Sequence, residues 1–207
     1  VIAGAGKAFC AGHDLKEMRG NHSKEFMQAL FKQCGDLMLR ITQMPQPVIA
    51  RVHGIATAAG CQLVSMCDLA VAADVAKFAV SGINVGLFCS TPAVGLARNL
   101  GRKAALEMLL TGEFIDALEA KAKGLVNRVV PADALDVEIE RLAGSILAKS
   151  AVAVRMGKGM YYKQLEMGLS EAYDYAGEVM ACNMMSEDAG EGIDAFMQKR
   201  KPEYKGC

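Results

Sequence analysis

The sequence predicts an α/β fold in which parallel strands alternate with helices and a mainly helical region follows. Three observations support this prediction. Apolar runs of strand length alternate with helical patterns in the first part of the chain, as they do in parallel βαβ units. From Thr91 onward, apolar residues recur mainly at helical spacing. The chain has 207 residues, of which 52% are hydrophobic, so it can bury a globular core.

The first part of the chain predicts three strands and two helices. The strands are short apolar runs, at Val1–Ala3, Val48–Val52 and Leu69–Ala73. Ser23 can cap an amphipathic helix that runs to about Thr42, and Pro45 and Pro47 prevent it from continuing. A second helix is expected at Ala59–Met66.

The rest of the chain predicts helices with one strand among them. In chain order the helices are Thr91–Leu100, Lys103–Leu109, Ala117–Lys123, Ala132–Lys149, Ala151–Leu165, Leu169–Asn183 and Glu187–Lys199. The strand is expected at Leu125–Val130, before Pro131. We therefore expect a core over residues 1–130 and a C-terminal helical region over residues 131–207.

Charge and cysteine content argue against several classes of partner. Lys plus Arg and Asp plus Glu each number 23, so the balance gives no reason to expect nucleic acid or an acidic membrane surface. Seven cysteines lie scattered without CxxC pairs, which favours reduced thiols over a disulfide framework or a metal site. No apolar run approaches the ~20 residues that span a bilayer.

The chain opens with Val1, inside an apolar strand and without a Met. We therefore expect further residues before it, which would carry any targeting signal. The expected compartment is the cytoplasm, or the mitochondrion if such a signal precedes Val1.

The most informative stretch connects the strand at Val48–Val52 to the helix at Ala59–Met66. Small residues lie between them, and they let a ligand approach backbone N–H groups at the start of the helix. The helix dipole adds attraction for negative charge. This stretch is a candidate oxyanion hole, which stabilises charge that develops on an oxygen.

A second stretch of similar character, Phe9-Cys-Ala-Gly-His-Asp-Leu-Lys16, follows the first strand. Two such stretches could each supply one N–H to the same oxygen. A strand-to-loop turn at Gly12 is the structural alternative, and the pairing of the two stretches favours the functional interpretation.

Together the two stretches resemble the signature pair of the crotonase superfamily, the enoyl-CoA hydratase/isomerase family. The resemblance continues at Cys67–Ala72, Phe78–Leu87, Leu110–Ile115 and Gly124–Pro131 and covers almost the whole chain. The combination Ala-Ala-Gly-Cys-Gln with Asn-Val-Gly-Leu-Phe-Cys-Ser-Thr-Pro is most similar to the enoyl-CoA hydratase domain-containing protein 3 subgroup.

This resemblance implies a crotonase spiral of ββα units with a helical region that covers the site. It implies that the backbone N–H groups of His13 and Ala59 form the oxyanion hole for a coenzyme A thioester, with no further cofactor. It also implies homotrimers, often paired as hexamers. The positions that match coenzyme A or substrate contacts are Ala11, Asp14, Leu15, Lys16, Phe196 and Lys199.

The sequence departs from the family pattern at the residues that move protons. Hydratases of the family carry glutamates at the positions of Gln62 and Gly82, and some isomerases carry a carboxylate at the position of Ser90. An amide cannot exchange a proton near neutral pH, and a well-placed acid or base contributes ~10²–10⁴ in rate. We therefore expect poor hydratase activity.

Several residues have structural alternatives. Asp14 and Asp68 are expected to brace loops through backbone hydrogen bonds. His53 is expected to be packed against its neighbours and His22 to be exposed to solvent. For His13, a catalytic role of the side chain is one of two open interpretations. The remaining polar candidates near the site are Asn84, Cys89, Ser90 and Thr91.

Two hypotheses remain open at this stage. The protein is either an acyl-CoA enzyme that catalyses something other than efficient hydration, such as isomerisation or thioester hydrolysis, or a catalytically inactive acyl-CoA-binding regulator or oligomer partner.

Overall fold

The computed structural model describes all 207 residues, which form two compact units. One unit comprises Val1–Ile41 and Val48–Ile139, and the other comprises Thr42–Pro47 and Glu140–Cys207. No helix is both long and apolar enough to cross a membrane.

The first unit contains two four-stranded sheets. In chain order the strands are β1 (Ile2–Ala3), β2 (Ala8–Cys10), β3 (Ile49–Val52), β4 (Ile55–Thr57), β5 (Leu69–Ala73), β6 (Lys77–Ala79), β7 (Ile115–Asp116) and β8 (Arg128–Val130). One sheet has the order β1-β3-β5-β8, and all its strands are parallel. The other has the order β2-β4-β6-β7 and is parallel except for the antiparallel pair β6–β7.

From β1 to β6, consecutive strands therefore alternate between the two sheets, and helices connect each pair to the next; β7 then joins the same sheet as β6. The helices are α1 (Leu15–Gly20), α2 (Lys24–Gln43), α3 (Ala59–Met66), α4 (Ser90–Asn99), α5 (Arg102–Thr111), α6 (Ala117–Lys123), α7 (Leu135–Leu147), α8 (Ala151–Gln164), α9 (Leu169–Met184) and α10 (Glu187–Met197). Short 3₁₀ turns lie at Ser81–Val85 and Ala132–Ala134. This is the expected α/β arrangement of ββα turns.

The core of the first unit lies on β3 and β5, at the centre of the all-parallel sheet. Val52, Val71 and Ala72 are fully buried there, as are Phe78 on β6 and Leu96 on α4. Burial on both faces explains why β5 reads as a continuous apolar run, as is typical of parallel sheets, while Arg51 is the one charged residue of β3 and is only partly buried.

Most predicted elements are confirmed, and three of them (α3, β5 and α6) have the expected bounds. Ser23 caps α2, since its Oγ accepts a hydrogen bond from the amide of Phe26 at 3.1 Å. The helix expected from Ala132 begins instead with a 3₁₀ turn and becomes α-helical at Leu135.

The predicted strand Leu125–Val130 is wrong over its first three residues. Gly124 adopts φ +90° and ends α6, and the amide of Leu125 bonds back to the carbonyl of Ala120 at 2.8 Å. Asn127 then pairs with Ala70 through both its side chain and its amide. Strand β8 begins only at Arg128 because Leu125 is turned toward α6 and Asn127 bonds to Ala70 at the start of β5 through its side chain.

The second unit is helical, and its C-terminal segment is held by Asp188 of α10. The buried carboxylate of Asp188 accepts hydrogen bonds from Ser150 Oγ at 2.6 Å and from the amides of Lys205 and Gly206 at 2.7–3.2 Å. These bonds lower the pKa of Asp188 below its usual value, that with Ser150 contributing most. The charged form therefore stabilises the end of the chain.

Candidate active site

One cavity in the first unit lies where the two small-residue stretches meet. Its volume is about 230 Å³, and its wall is formed by the loop before α1, the start of α3, and the segment from Ser81 to Pro92. The large apolar side chains on the wall are Leu15, Met18, Phe31, Val85, Leu87 and Phe88. The polar side chains are His13, Ser81, Cys89, Ser90 and Thr91. No Asp, Glu, Lys or Arg lines the cavity.

Two glycines bring the stretches into contact. A Cβ added at Gly60 would lie 2.0 Å from the carbonyl oxygen of Cys10, so only glycine allows β2 to approach α3 this closely. Gly12 has φ +93°, and a Cβ added there would lie 3.3 Å from the amide nitrogen of Ala59. The residue before His13 therefore packs directly against the first residue of α3.

The amide of Ala59 has no acceptor within the protein. It is the first residue of α3, where backbone N–H groups have no helical partner, and it forms no other hydrogen bond. Ala58 before it has φ 51° and ψ −120°, which is unusual for a residue with a Cβ. Its own amide is fixed to the carbonyl of Ala79 at 3.0 Å, so β6 holds this strained turn in place.

His13 also presents an amide without a protein acceptor. Its imidazole lines the same cavity and packs edge-on against Phe31 of α2, with the ring centroids 5.6 Å apart. Burial lowers the pKa of His13 below its ordinary value, while the carboxylate of Glu17 raises it by a smaller amount. Neither ring nitrogen is hydrogen-bonded to the protein or sealed from solvent.

Gln62 is buried on α3, one turn after Ala59, and does not line the cavity. Its Oε1 lies 3.8 Å from Sγ of Cys34 on α2, within reach of a weak thiol hydrogen bond. Its side chain therefore contributes to packing between α2 and α3. An amide in this place adds no proton carrier to the site.

Gly82 lines the cavity, and the space where its side chain would begin is already filled. A Cβ added there would lie 2.6 Å from the carbonyl oxygen of Leu87 and 2.8 Å from Sγ of Cys89. The turn is closed by a bond from the amide of Leu87 to the carbonyl of Gly82 at 2.9 Å. The backbone of this turn thus occupies the space that a side chain at position 82 would need, so a carboxylate at position 82 would require this turn to move.

The other polar candidates from the sequence divide into two groups. Ser90 and Thr91 line the cavity with Cys89, whereas Asn84 does not and instead donates to the carbonyl of Gly112 at 3.4 Å. The sequence did not single out Ser81, which lines the cavity and lies 2.9 Å from Thr57 through their hydroxyls.

The positions matched to coenzyme A or substrate contacts lie in different places. Ala11 and Leu15 line the cavity. Asp14 braces the loop, as expected, since its carboxylate caps α1 by accepting from the amides of Lys16 and Glu17 at 2.7 and 3.2 Å. The Lys16 side chain is exposed on α1.

Two further matched positions, Phe196 and Lys199, belong to the second unit, where Phe196 is 85% exposed near the end of α10. A large aromatic side chain left this open is available to a ligand or a partner.

The remaining candidates have structural roles. His53 Nε2 lies 2.9 Å from the carbonyl oxygen of Gly6, and its Nδ1 is buried without a partner, so the packed interpretation of His53 is confirmed. Asp68 accepts from the amide of Val48 at 2.6 Å, which confirms it as a brace. Burial raises the pKa of the Cys61 thiol to about 12, which removes its reactivity.

Apart from Leu15, the large apolar wall residues were missed from the sequence. Leu87 and Phe88 are partly exposed although they are apolar, and they follow Gly86 in a turn. Apolar residues in a turn were the available signal, because a turn without a binding role is usually polar. Phe31 and Met18 gave no such signal, since apolar residues on a helix usually face the core.

Comparison with known proteins decides the family. The family model described as enoyl-CoA hydratase/isomerase matches residues 1–207. The chain belongs to this family. The cavity described above is therefore that of a member of the enoyl-CoA hydratase/isomerase family.

Two relatives and two solved structures illustrate the similarity. The chain is 49% identical to rat enoyl-CoA hydratase domain-containing protein 3, mitochondrial, over 98% of this chain and 67% of that protein. It is 38% identical to a probable enoyl-CoA hydratase of Mycobacterium bovis, over 99% and 79%. A crystal structure of an enoyl-CoA hydratase of Mycobacterium smegmatis is 64% identical, with a TM-score of 0.95, over 97% and 78%. The human domain-containing protein 3 structure is 49% identical, with a TM-score of 0.93, over 97% and 79%.

These similarities confirm the crotonase fold and the resemblance to the domain-containing protein 3 subgroup. They cover residues of both units of the chain.

Proposed function

We propose that this protein binds an acyl-CoA thioester with its carbonyl oxygen between the amides of His13 and Ala59. The observation that carries the proposal is that both amides lack a protein acceptor and both residues line one cavity. Two preorganised donors stabilise the negative charge of an enolate, which forms when the thioester loses a proton from its α-carbon. No cofactor besides the coenzyme A thioester is required.

The same cavity supports a reaction other than efficient hydration. Adding water to an enoyl thioester needs one group to activate water and another to protonate the α-carbon. Gln62 lies outside the cavity wall, Gly82 has no side chain, and no carboxylate replaces them. The protein therefore stabilises enolates without the pair of carboxylates that a hydratase uses.

The binding part of the proposal is tested with a matched pair of ligands. Titration calorimetry compares butyryl-CoA with S-butyl-CoA, a thioether of the same length that lacks the carbonyl oxygen. We expect the thioester to bind at least several-fold more tightly, since only it accepts hydrogen bonds from the two amides. Equal affinities would contradict the proposed oxyanion hole.

Turnover of crotonyl-CoA tests the second part. We expect hydration far below that of a family hydratase that carries both glutamates, measured in parallel as a control. Hydration at the control rate would contradict the role assigned to Gln62 and Gly82.

A catalytically inactive acyl-CoA-binding protein is the second candidate, and the absence of any carboxylate on the cavity wall favours it. It predicts tight thioester binding with neither product nor exchange of the α-protons. Any release of coenzyme A, double-bond shift or α-proton exchange that depends on the protein would reject it.

Quaternary structure and compartment complete the proposal. We propose a homotrimer or hexamer in which Phe196 and Lys199 contact the coenzyme A of a neighbouring subunit, which light scattering and a Phe196→Ala affinity measurement would test.

We propose the cytoplasm as the compartment, since the mycobacterial relative that is 64% identical comes from a bacterium. The mitochondrial names belong to vertebrate relatives, and fluorescence localisation of the full-length protein distinguishes the two.

A further inference from the structure

The cavity wall carries two ionisable side chains, the imidazole of His13 and the thiol of Cys89. The other polar side chains on it are the hydroxyls of Ser81, Ser90 and Thr91, which do not exchange protons as bases near neutral pH. A neutral imidazole is the strongest proton acceptor in this set. His13 is therefore the side chain on the cavity wall that is best able to accept a proton.

The position of the imidazole suits proton transfer. It extends from the residue whose amide forms one side of the proposed oxyanion hole, so it begins next to the carbonyl group of a bound thioester. Phe31 packs edge-on against the ring with the centroids 5.6 Å apart, an arrangement that favours this ring orientation. Both ring nitrogens remain available, because neither bonds to the protein and neither is buried.

We propose that His13 is the base of this site and that it transfers a proton to and from the α-carbon of the bound acyl thioester. This inference rests on the proposed function. A neutral ring nitrogen takes the α-proton, the C–H electron pair moves into the bond to the carbonyl carbon, and the carbonyl oxygen becomes an enolate oxygen held by two amides. The imidazolium then returns the proton.

A single base limits the reaction to a proton shift. The proton can return to the α-carbon, which exchanges it with solvent, or to the γ-carbon when the substrate is a 3-enoyl thioester, which gives the 2-enoyl isomer. Neither outcome adds or removes any other atom. Hydration would need a second acid or base, and the filled space beside Gly82 excludes one there.

The environment keeps His13 in the form that a base requires. Burial lowers its pKa, and Glu17 on α1 is the charged residue that opposes this change. The loop and α1 also carry Asp14, Lys16 and Arg19, which are exposed, whereas the groups that line the cavity from α2 and α3, Phe31 and Ala59, carry no charge. Below its pKa the ring is protonated and cannot accept a proton, so activity must fall at low pH.

The test is deuterium incorporation at the α-carbon of butyryl-CoA in D₂O, measured by mass spectrometry. We expect the full-length protein to catalyse exchange with a rate that rises with pH and levels off, with a midpoint below the ordinary imidazole pKa of about 6.5. His13→Gln is expected to slow exchange by ~10²–10⁴ while the affinity for butyryl-CoA stays within a few-fold. In His13→Ala, added imidazole is expected to restore part of the exchange.

A Cys89→Ala variant is measured beside these. Loss of exchange in Cys89→Ala with full exchange in His13→Ala would overturn the assignment, as would a flat pH profile or absence of exchange in the unmodified protein. A different result would contradict the proposed function itself, namely that butyryl-CoA binds no more tightly than S-butyl-CoA. Melting temperatures confirm that each variant is folded, and the pH profile of the unmodified protein tests the proposal even if a variant is not.

Discussion

The two sides of the cavity are built in different ways. On one side, Gly12, Ala58 and Gly60 position backbone amides, so the proposed binding of the carbonyl oxygen there does not depend on which side chains follow. On the other side, family hydratases use a carboxylate, and here Gly82 faces the carbonyl of Leu87 and the thiol of Cys89 instead. The difference teaches that an oxyanion hole made of main-chain amides tolerates side-chain substitution. A catalytic side chain, by contrast, can be absent, and neighbouring atoms can then fill its space.

Within this comparison, the largest expected effect comes from removing one main-chain donor. Replacing Ala59 by its α-hydroxy acid analogue, lactic acid, turns the amide into an ester and deletes only the N–H. We expect the α-proton exchange rate to fall by ~10²–10³, because one of two oxyanion donors is lost.

The same ester at Ala132 is the matched control, since that alanine is exposed and lies in a 3₁₀ turn outside the cavity. Equal exchange rates in the two ester proteins would remove Ala59 from the oxyanion hole.

The opposite side is tested by trying to restore the family carboxylates. We expect Gln62→Glu with Gly82→Glu to remain far below a family hydratase in crotonyl-CoA turnover. A side chain at position 82 meets a backbone carbonyl at 2.6 Å, so the new carboxylate cannot take the family position unless the turn moves. Turnover at the level of a family hydratase would show that the turn yields easily.

Gly82→Ala measures the steric cost alone. We expect it to lower the free energy of unfolding by about 1–3 kcal/mol, as overpacked core positions do, and to lower the melting temperature by several degrees. Gly35→Ala is the matched control: Gly35 lies within α2, and a Cβ there contacts nothing, so stability should rise slightly. Equal effects in the two variants would contradict the filled space at Gly82.

A smaller effect is expected at the strained turn before Ala59. Ala58→Gly relieves a positive φ that costs ~1–3 kcal/mol, and the added flexibility of glycine cancels roughly 0.5–1 kcal/mol of that gain. We expect a modest rise in melting temperature with thioester affinity preserved. Ala97→Gly, at an exposed position in α4, should instead destabilise the protein, and a fall in both variants would speak against strain at Ala58.

The smallest effect separates the two interpretations of Asp14. Asp14→Asn keeps a side-chain acceptor for the amides of Lys16 and Glu17, whereas Asp14→Ala loses the cap and about 1 kcal/mol. If Asp14 acts as a brace, the affinity for the thioester should be unchanged in Asp14→Asn and slightly weaker in Asp14→Ala. An equal, large loss of affinity in both variants would instead indicate direct contact of the carboxylate with the ligand.

The sequence predicted the parts of the fold that have strong local signals. Helix α3 and strand β5 were placed correctly because apolar periodicity and bounding small residues agree over their whole length. Strands β2, β4 and β6 were missed because three residues are too few to establish a period. Their pairing in a second sheet is a long-range property that no local pattern contains.

The candidate site was predictable to the extent that it depends on backbone. The small residues around Gly12 and Gly60 identified both loops, since close approach and positive φ restrict the residue type. The edge-on contact of His13 with Phe31 and the thiol beside Gly82 depend on distant segments meeting in space, so the sequence could not predict them.

The filled space beside Gly82 also bears on how such a protein can evolve. A mutation that introduces glutamate at this position begins with a clash against Leu87 and Cys89, so it destabilises the turn before it can offer any catalytic benefit. Acquiring the two-carboxylate catalysis of family hydratases then requires two or more changes in a suitable order. Descendants of a chain with this turn are channelled toward reactions that a lone imidazole and a pair of peptide N–H groups can perform.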